Sequence, residues 1–300
     1  MRRLPPARFC ARFLLLCVCT SAAAPPAPSS PPLPNIILYV PDEMRAESMR
    51  LYGGPAATPA FERLAADGTT FTQAFTTYPV CTQSRAAFLT GRFTHASGHR
   101  TLWNPLRWHE PNLLRYAKNA SYEVLMYGKN DALDPASFPS SATRAGDAGG
   151  PGESAGLLYP PDDARHYSFI GARPSWPPAE SGDRANVARA LADLAARNAS
   201  SPPFFLFLPL TAPHPPYGCP GEFYDAYNST PVQLRPPGGA DELSLRARQR
   251  FYHNQSRWQS GTLEQAHRLY LGCISFADDV FGTLLRGLDA LGLYNDTAVM

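Results

Sequence analysis

Between Val80 and Arg92 the chain reads Val-Cys-Thr-Gln-Ser-Arg-Ala-Ala-Phe-Leu-Thr-Gly-Arg. Cys81 is a nucleophile by type. Arg85, one helical turn further on, carries a guanidinium whose fork of donors suits the oxygens of a tetrahedral anion. Ser84 to Thr90 predicts a helix stopped by Gly91. That sets Cys81 just ahead of the first turn, where unpaired backbone N–H groups and the helix dipole favour negative charge. The chemistry on offer is a nucleophile beside an anion site. A small buried thiol capping a core helix uses the same residues equally well.

Other reactive side chains stand where apolar runs stop. Asn35–Val40 (Asn-Ile-Ile-Leu-Tyr-Val) leads into Asp42 and Glu43. Adjacent acids repel one another unless a cation sits between them, and their hard oxygens suit Ca²⁺ or Mg²⁺; a solvated loop pair is the plainer alternative. Tyr122–Tyr127 leads into Lys129, one of two lysines in a chain whose other strong cations are all arginine. It is either a compact charge at a strand end or an exposed loop lysine. Phe204–Leu208 leads into Thr-Ala-Pro-His-Pro-Pro-Tyr, where His214 is stiffened by prolines on both sides. That suits a group delivering a proton as well as it suits a structural loop.

The elements that must position these residues follow from pattern. The three runs are continuous and β-rich, as in parallel strands buried on both faces, and the carboxyl ends of such strands are where open α/β sheets bind ligands. Between them, Thr58–Gly68 predicts a short helix with Thr58 as its cap, and Thr69–Thr76 a strand leading to Cys81. Pro111–Lys118 and Asp183–Asn198 predict two more helices. Leu263–Leu291 predicts a long one on which Asp278 and Asp279 form a polar face or make local hydrogen bonds. Residues 133–182 carry few periodic segments and predict a long connection of the kind that walls active sites. A new strand begins after Leu291.

Composition is globular, 44% hydrophobic and 17% charged, with 32 prolines and 22 glycines pointing to long irregular connections. Residues 1–24 read as a secretory signal: Arg2, Arg3, Arg8 and Arg12 precede a short apolar run and small residues. The run is too short to span a bilayer. Residues 25–34 form a proline-rich leader, and 35–300 one domain. Removing the four arginines of the signal takes the formal charge from +2 to −2, leaving no basic field for nucleic acid. It also leaves three cysteines, Cys81, Cys219 and Cys273. If Cys81 is modified, Cys219 and Cys273 are either a disulfide or two unpaired thiols. Five Asn-x-Ser/Thr sequons, at Asn119, Asn198, Asn228, Asn254 and Asn295, fit an exported glycoprotein bound for secretion or a lysosome-like compartment.

At Cys81, Ser84, Arg85, Leu89, Thr90 and Gly91 the first stretch resembles the signature of type I sulfatases, in which the cysteine is oxidised to formylglycine; Gln83 stands where that family has Pro or Ala. Asn35, Ile36 and Asp42 are similar to the family's opening Pro-Asn-Ile run, with Glu43 in place of its second Asp. Thr58–Gly68 matches the family's Thr-Pro segment. His95–Thr101 resembles its His-x-x-Gly-x-Arg run, which implies substrate recognition by His95, His99 and Arg100. Lys129 matches its Gly-Lys-x-His, with Asp131 in the place of His, and His214 matches its Pro-His-x-Pro-Tyr. The resemblance implies an alkaline-phosphatase-like α/β fold and a divalent cation, Ca²⁺ or Mg²⁺, held by Asp42, Glu43 and the modified Cys81. It implies a sulfate-ester substrate, a formylglycine-generating enzyme as partner during secretion, and no metal at Asp278 and Asp279. Arg85 and Lys129 would stabilise the oxyanion, and His214 would assist departure of the alcohol. The family continues past the place of Met300 into a Ser-Asp-His/Asn-Gly segment that completes its metal site, so the expectation for residues 1–300 alone is little or no activity. Two rivals remain from the sequence: a phosphodiester or phosphonate hydrolase of the same superfamily, and a non-catalytic secreted glycoprotein.

Overall fold

The structure, a computed structural model, describes residues 33–147, 163, 169–232 and 261–300, apart from the side chains of 172–174. The signal, residues 25–32 of the leader and Asn254 lie outside the described residues. The apolar run Asn35–Val40 forms strand β1. Pro59–Asp67 forms helix α1, Cys81–Thr90 α2 and Leu113–Asn119 α3. Glu123–Tyr127 is β2, Arg144–Gly146 β3 and Ile170–Trp176 β4. Helix α4 is Gly182–Ala195, followed by β5, Phe204–Pro209, and β6, Tyr217–Pro220. The long helix α5 is Thr262–Ala290, and Thr297–Val299 forms β7.

Among the described residues the central sheet has five strands in the order β3-β2-β5-β1-β7. Its pairs are all parallel, with Ile36 opposite Phe205 on one side and Ala298 on the other. Alternate residues of each strand feed different cores, as the pleat requires. Leu125, Tyr127, Phe204, Leu206 and Leu208 pack with α4 and α5 on one face. Val124, Met126, Phe205 and Phe207 pack with α2 and α3 on the other. Covering on both faces is why these strands read as unbroken apolar runs rather than as alternation. A second, two-stranded parallel sheet pairs β4 with β6.

Two expectations need correction. Thr69–Thr76 forms no strand: its residues pair with no sheet edge among those described, and Phe75 is 85% exposed. The stretch expected as an irregular connection supplies β3 and β4; β3, Arg-Ala-Gly, is too short and too polar to show a strand period. Thr58 stands at the N-cap position of α1 as expected, and its carbonyl accepts from the Glu62 N–H at 2.9 Å, but its side chain accepts no backbone bond. Asp278 of α5 does so instead, accepting from the N–H groups of Ala60 at 3.0 Å and Phe61 at 2.8 Å. Among the described residues no helix is long and apolar enough to cross a membrane.

Candidate active site

The parallel sheet aims the carboxyl ends of β1, β2 and β5 at one edge, and each is followed by a loop bearing a reactive side chain. Beyond β1, Glu43 adopts φ 61°, a left-handed conformation unusual for a residue with a Cβ. The Tyr270 hydroxyl from α5 holds that loop at two points, donating to the Glu43 carbonyl at 2.7 Å and accepting from the Arg45 N–H at 2.9 Å. Asp42 is thereby turned inward and buried, while Glu43 is exposed. Beyond β2 the chain turns through Gly128 at φ 118°, where a Cβ would come within 2.3 Å of the Pro209 carbonyl oxygen, so only glycine fits. That turn places Lys129. Beyond β5, Asp183 in the first turn of α4 accepts from the N–H groups of Thr211 at 2.9 Å and Ala212 at 2.8 Å, fixing the loop that carries His214.

Helix α2 starts earlier than the sequence suggested. Val80 is extended and its carbonyl accepts from the Ser84 N–H at 2.8 Å, making Cys81 the first helical residue, still within the turn whose N–H groups are unpaired. Tertiary anchors extend the helix backward: the Thr82 hydroxyl donates to Leu102 O at 3.1 Å and the Gln83 amide to Arg100 O at 3.2 Å. Gly91 ends it at φ 67°. Arg85, 2% exposed, donates to the Lys129 carbonyl at 2.5 Å and to Asp42 Oδ2 at 3.3 Å. Lys129 Nζ donates to the same Asp42 oxygen at 2.5 Å and lies 3.1 Å from Asp131 Oδ2.

Ligand atoms of Asp42, Cys81 and Asp131 lie within 4.8 Å of one another. Asp131 Oδ2 is buried and accepts no hydrogen bond, its contact with Lys129 being ionic only. Two hard carboxylates with an orphaned oxygen fit a divalent cation in donor chemistry. The cations set the protonation of their neighbours. Burial pulls the Lys129 ammonium down, but Asp42 and Asp131 outweigh it and hold its pKa above the ordinary value. Burial pushes the Cys81 thiol up against the pull of Lys129.

A cavity of about 720 Å³ opens over this cluster, lined by Asp42, Cys81, Ser84 and Arg85 on one side and by Tyr217, His267 and Tyr270 on another. The structure therefore gathers Cys81, Asp42, Arg85 and Lys129, adds Asp131, and leaves Glu43 out of the ligand cluster. His214 donates from Nδ1 to the Pro215 carbonyl at 2.5 Å, and it is not among the residues lining the cavity. Neither are His95, His99 and Arg100. His95 is exposed and stacks on Phe93. His99 is buried, with Nδ1 2.7 Å from Asn104 O and Nε2 3.2 Å from Glu110, and Arg100 donates to the His95 carbonyl at 3.1 Å. Sequence reasoning missed Tyr217, His267 and Tyr270 because their period on α5 and β6 reads as core. The one signal was an imidazole on an otherwise apolar helix face. Cys219 and Cys273 meet between β6 and α5 as buried free thiols. The hydrogen bond that the Cys219 thiol donates to Cys273, with burial, pushes the Cys219 thiol far up. The sequons at Asn119, Asn198, Asn228 and Asn295 are all exposed.

A doubly covered parallel sheet with a helix-N-terminal cysteine, two cations and two carboxylates at its carboxyl edge defines an α/β protein of the alkaline-phosphatase-like class. The Sulfatase family model matches residues 34–300, and the chain belongs to the sulfatase family. It is 24% identical to iduronate 2-sulfatase of Homo sapiens over 88% of its own length and 53% of that protein's. Its fold is similar to that of a phosphonate monoester hydrolase from Silicibacter pomeroyi, with a TM-score of 0.69, 21% identity, and coverage of 90% of this chain and 61% of that one. It is also similar to a protein solved in complex with its substrate D-glucosamine-2-N,6-O-disulfate, with a TM-score of 0.64, 20% identity, and coverage of 89% and 64%. The chain spans less than two thirds of the length of the relatives it matches.

Proposed function

We propose that this site hydrolyses sulfate esters. The observation that carries the reading is the placement of Cys81 in the first turn of α2 with Arg85, Lys129, Asp42 and Asp131 around it. A sulfate group seated over Cys81 meets the free N–H groups of the turn and the Arg85 and Lys129 cations, which bind its oxygens and stabilise charge that develops on them. The spacing of Cys81 with Ser84, Arg85, Leu89, Thr90 and Gly91 supports conversion of Cys81 to formylglycine, whose hydrate presents an oxygen to sulfur. Asp42 and Asp131 are the residues that would hold Ca²⁺ or Mg²⁺, which supplies Lewis-acid stabilisation of oxyanions when bound. His214 stands on a braced loop at the same sheet edge, and an Nε2–H there would donate its proton to the departing alcohol oxygen after local rearrangement. The exposed sequons support passage through the secretory pathway, where Cys81 would meet a formylglycine-generating enzyme and Cys219 and Cys273 would pair.

The test is made on protein secreted from a eukaryotic host. Mass spectrometry of the Cys81 peptide should show the aldehyde, and whatever hydrolysis residues 1–300 or an extended chain performs should be faster on an aryl sulfate than on an aryl phosphonate. Exclusively unmodified Cys81 would overturn the nucleophile. A preference for the phosphonate would favour the second reading, a phosphonate hydrolase, which the fold alone allows equally.

A further inference from the structure

The cavity over Cys81 has a second wall with a different chemistry. Helix α5 lines it with Leu263, Ala266 and His267, and β6 with Tyr217. Most polar groups around the cavity are already engaged. Ser84 and Thr76 bond to each other at 3.0 Å, and the Tyr270 hydroxyl is committed to the backbone of Glu43 and Arg45. The Tyr217 hydroxyl and the His267 imidazole have no hydrogen-bond partner among the described residues. Burial, with Arg45 nearby, lowers the pKa of His267, so at neutral pH the ring is uncharged and offers one donor and one acceptor. Tyr217 is held in place by its ring, edge-on to Tyr270 at 5.5 Å, which leaves the hydroxyl as its only unspent group. A largely apolar wall bearing two neutral donor–acceptor groups, in a cavity that Glu43 and Arg45 also line, is complementary to a ring that has a C–H face and hydroxyls on its edge. It is a poor match for a purely hydrocarbon alcohol, which would leave both groups unsatisfied.

We propose that Tyr217 and His267 read a hydroxyl on the ring of the alcohol that carries the sulfate, making them specificity-determining residues for hydroxylated ring alcohols. The inference rests on the reading of Cys81, Arg85 and Lys129 as the sulfate end of the site. The experiment keeps the two apart by using two probes, inorganic sulfate and D-glucose 6-sulfate, with affinities measured by titration calorimetry on the full chain in a Cys81→Ala background so that no turnover intervenes. The sugar sulfate should bind several-fold tighter than sulfate. Tyr217→Phe, which keeps the ring stacking, and His267→Ala should each weaken the sugar sulfate by about three- to tenfold, the range of one net hydrogen bond, with sulfate unchanged. His267→Gln should recover part of the loss, and Arg85→Ala should weaken both probes. Equal binding of the two probes, or variants that leave the sugar sulfate untouched, overturns the inference while the anion site stands. Variants that weaken both probes alike overturn it as well, by assigning Tyr217 and His267 to the anion site or the frame. No binding of sulfate by the parent protein overturns the anion site and the inference together.

Discussion

Asp42 and Asp278 are both buried, 7% and 2% exposed, and the protein treats them in opposite ways. Asp42 is faced by side-chain cations, Lys129 and Arg85, and shares its surroundings with Asp131 and Cys81. Asp278 is faced by two backbone N–H groups at the start of α1. Side-chain cations can move to an arriving ligand, whereas a helix terminus cannot. An acid held by movable charge is poised for exchange, and an acid held by backbone belongs to the frame. Type and burial alone do not separate a functional carboxylate from a structural one; the kind of partner does.

Four changes would break or sharpen that contrast. The largest effect is expected from Arg85→Ala, which strips the site of a buried guanidinium. Sulfate affinity should fall at least about a hundredfold, on the order of 3 kcal/mol, by calorimetry. A loss under tenfold would put the anion elsewhere. Next comes Asp278→Ala, which leaves the first N–H groups of α1 without an acceptor. Chemical denaturation should show a loss of about 2 kcal/mol, with sulfate binding unchanged. The third concerns pH. Burial pushes Asp278 up to about 6, against the pull of the Ala60 and Phe61 N–H groups. An unfolded aspartate ionises near 4, so between about pH 4 and 6 the folded protein retains a proton the unfolded chain has lost. Stability should fall as pH rises through that window, relative to an Asp278→Asn variant that lacks the slope; parallel Tm-against-pH curves for the two would refute it. The smallest effect is expected from Asp42→Asn, since Lys129 keeps Asp131 and Arg85 keeps the Lys129 carbonyl. Stability should change by less than about 1 kcal/mol while divalent-cation binding is lost. A large drop in stability would make Asp42 part of the frame too.

Much of this arrangement could be read from the chain, for a definite reason. Strands buried on both faces advertise themselves as apolar runs, and the polar residues that follow them fall at the ligand edge of a parallel sheet. So the ends of β1, β2 and β5 point to Asp42, Lys129 and His214 as candidates. What was missed depends on long-range contact. The start of α2 was placed late because the bonds of Thr82 and Gln83 to Leu102 and Arg100 leave no local trace. Glu43 leaves the cluster through a turn held by Tyr270, more than two hundred residues away in the chain, and Asp131 joins it beyond the Gly128 turn. His99 looked like a pocket residue by motif but spends both ring nitrogens on its own loop and Glu110.

The order of the sheet also bears on how the molecule is made. Strand β1 is among the first residues synthesised, yet its neighbours are β5 and β7, and α5 closes over the loop that follows it. None of these partners exists when Cys81 emerges from the ribosome. Pairing at such separation must wait, because the ends cannot meet until the intervening chain is present. The nascent Cys81 segment is therefore held open by topology rather than by any local instability. An enzyme acting on Cys81 would have the time needed to translate the chain from α2 to α5 before the long helix adds the second wall of the cavity.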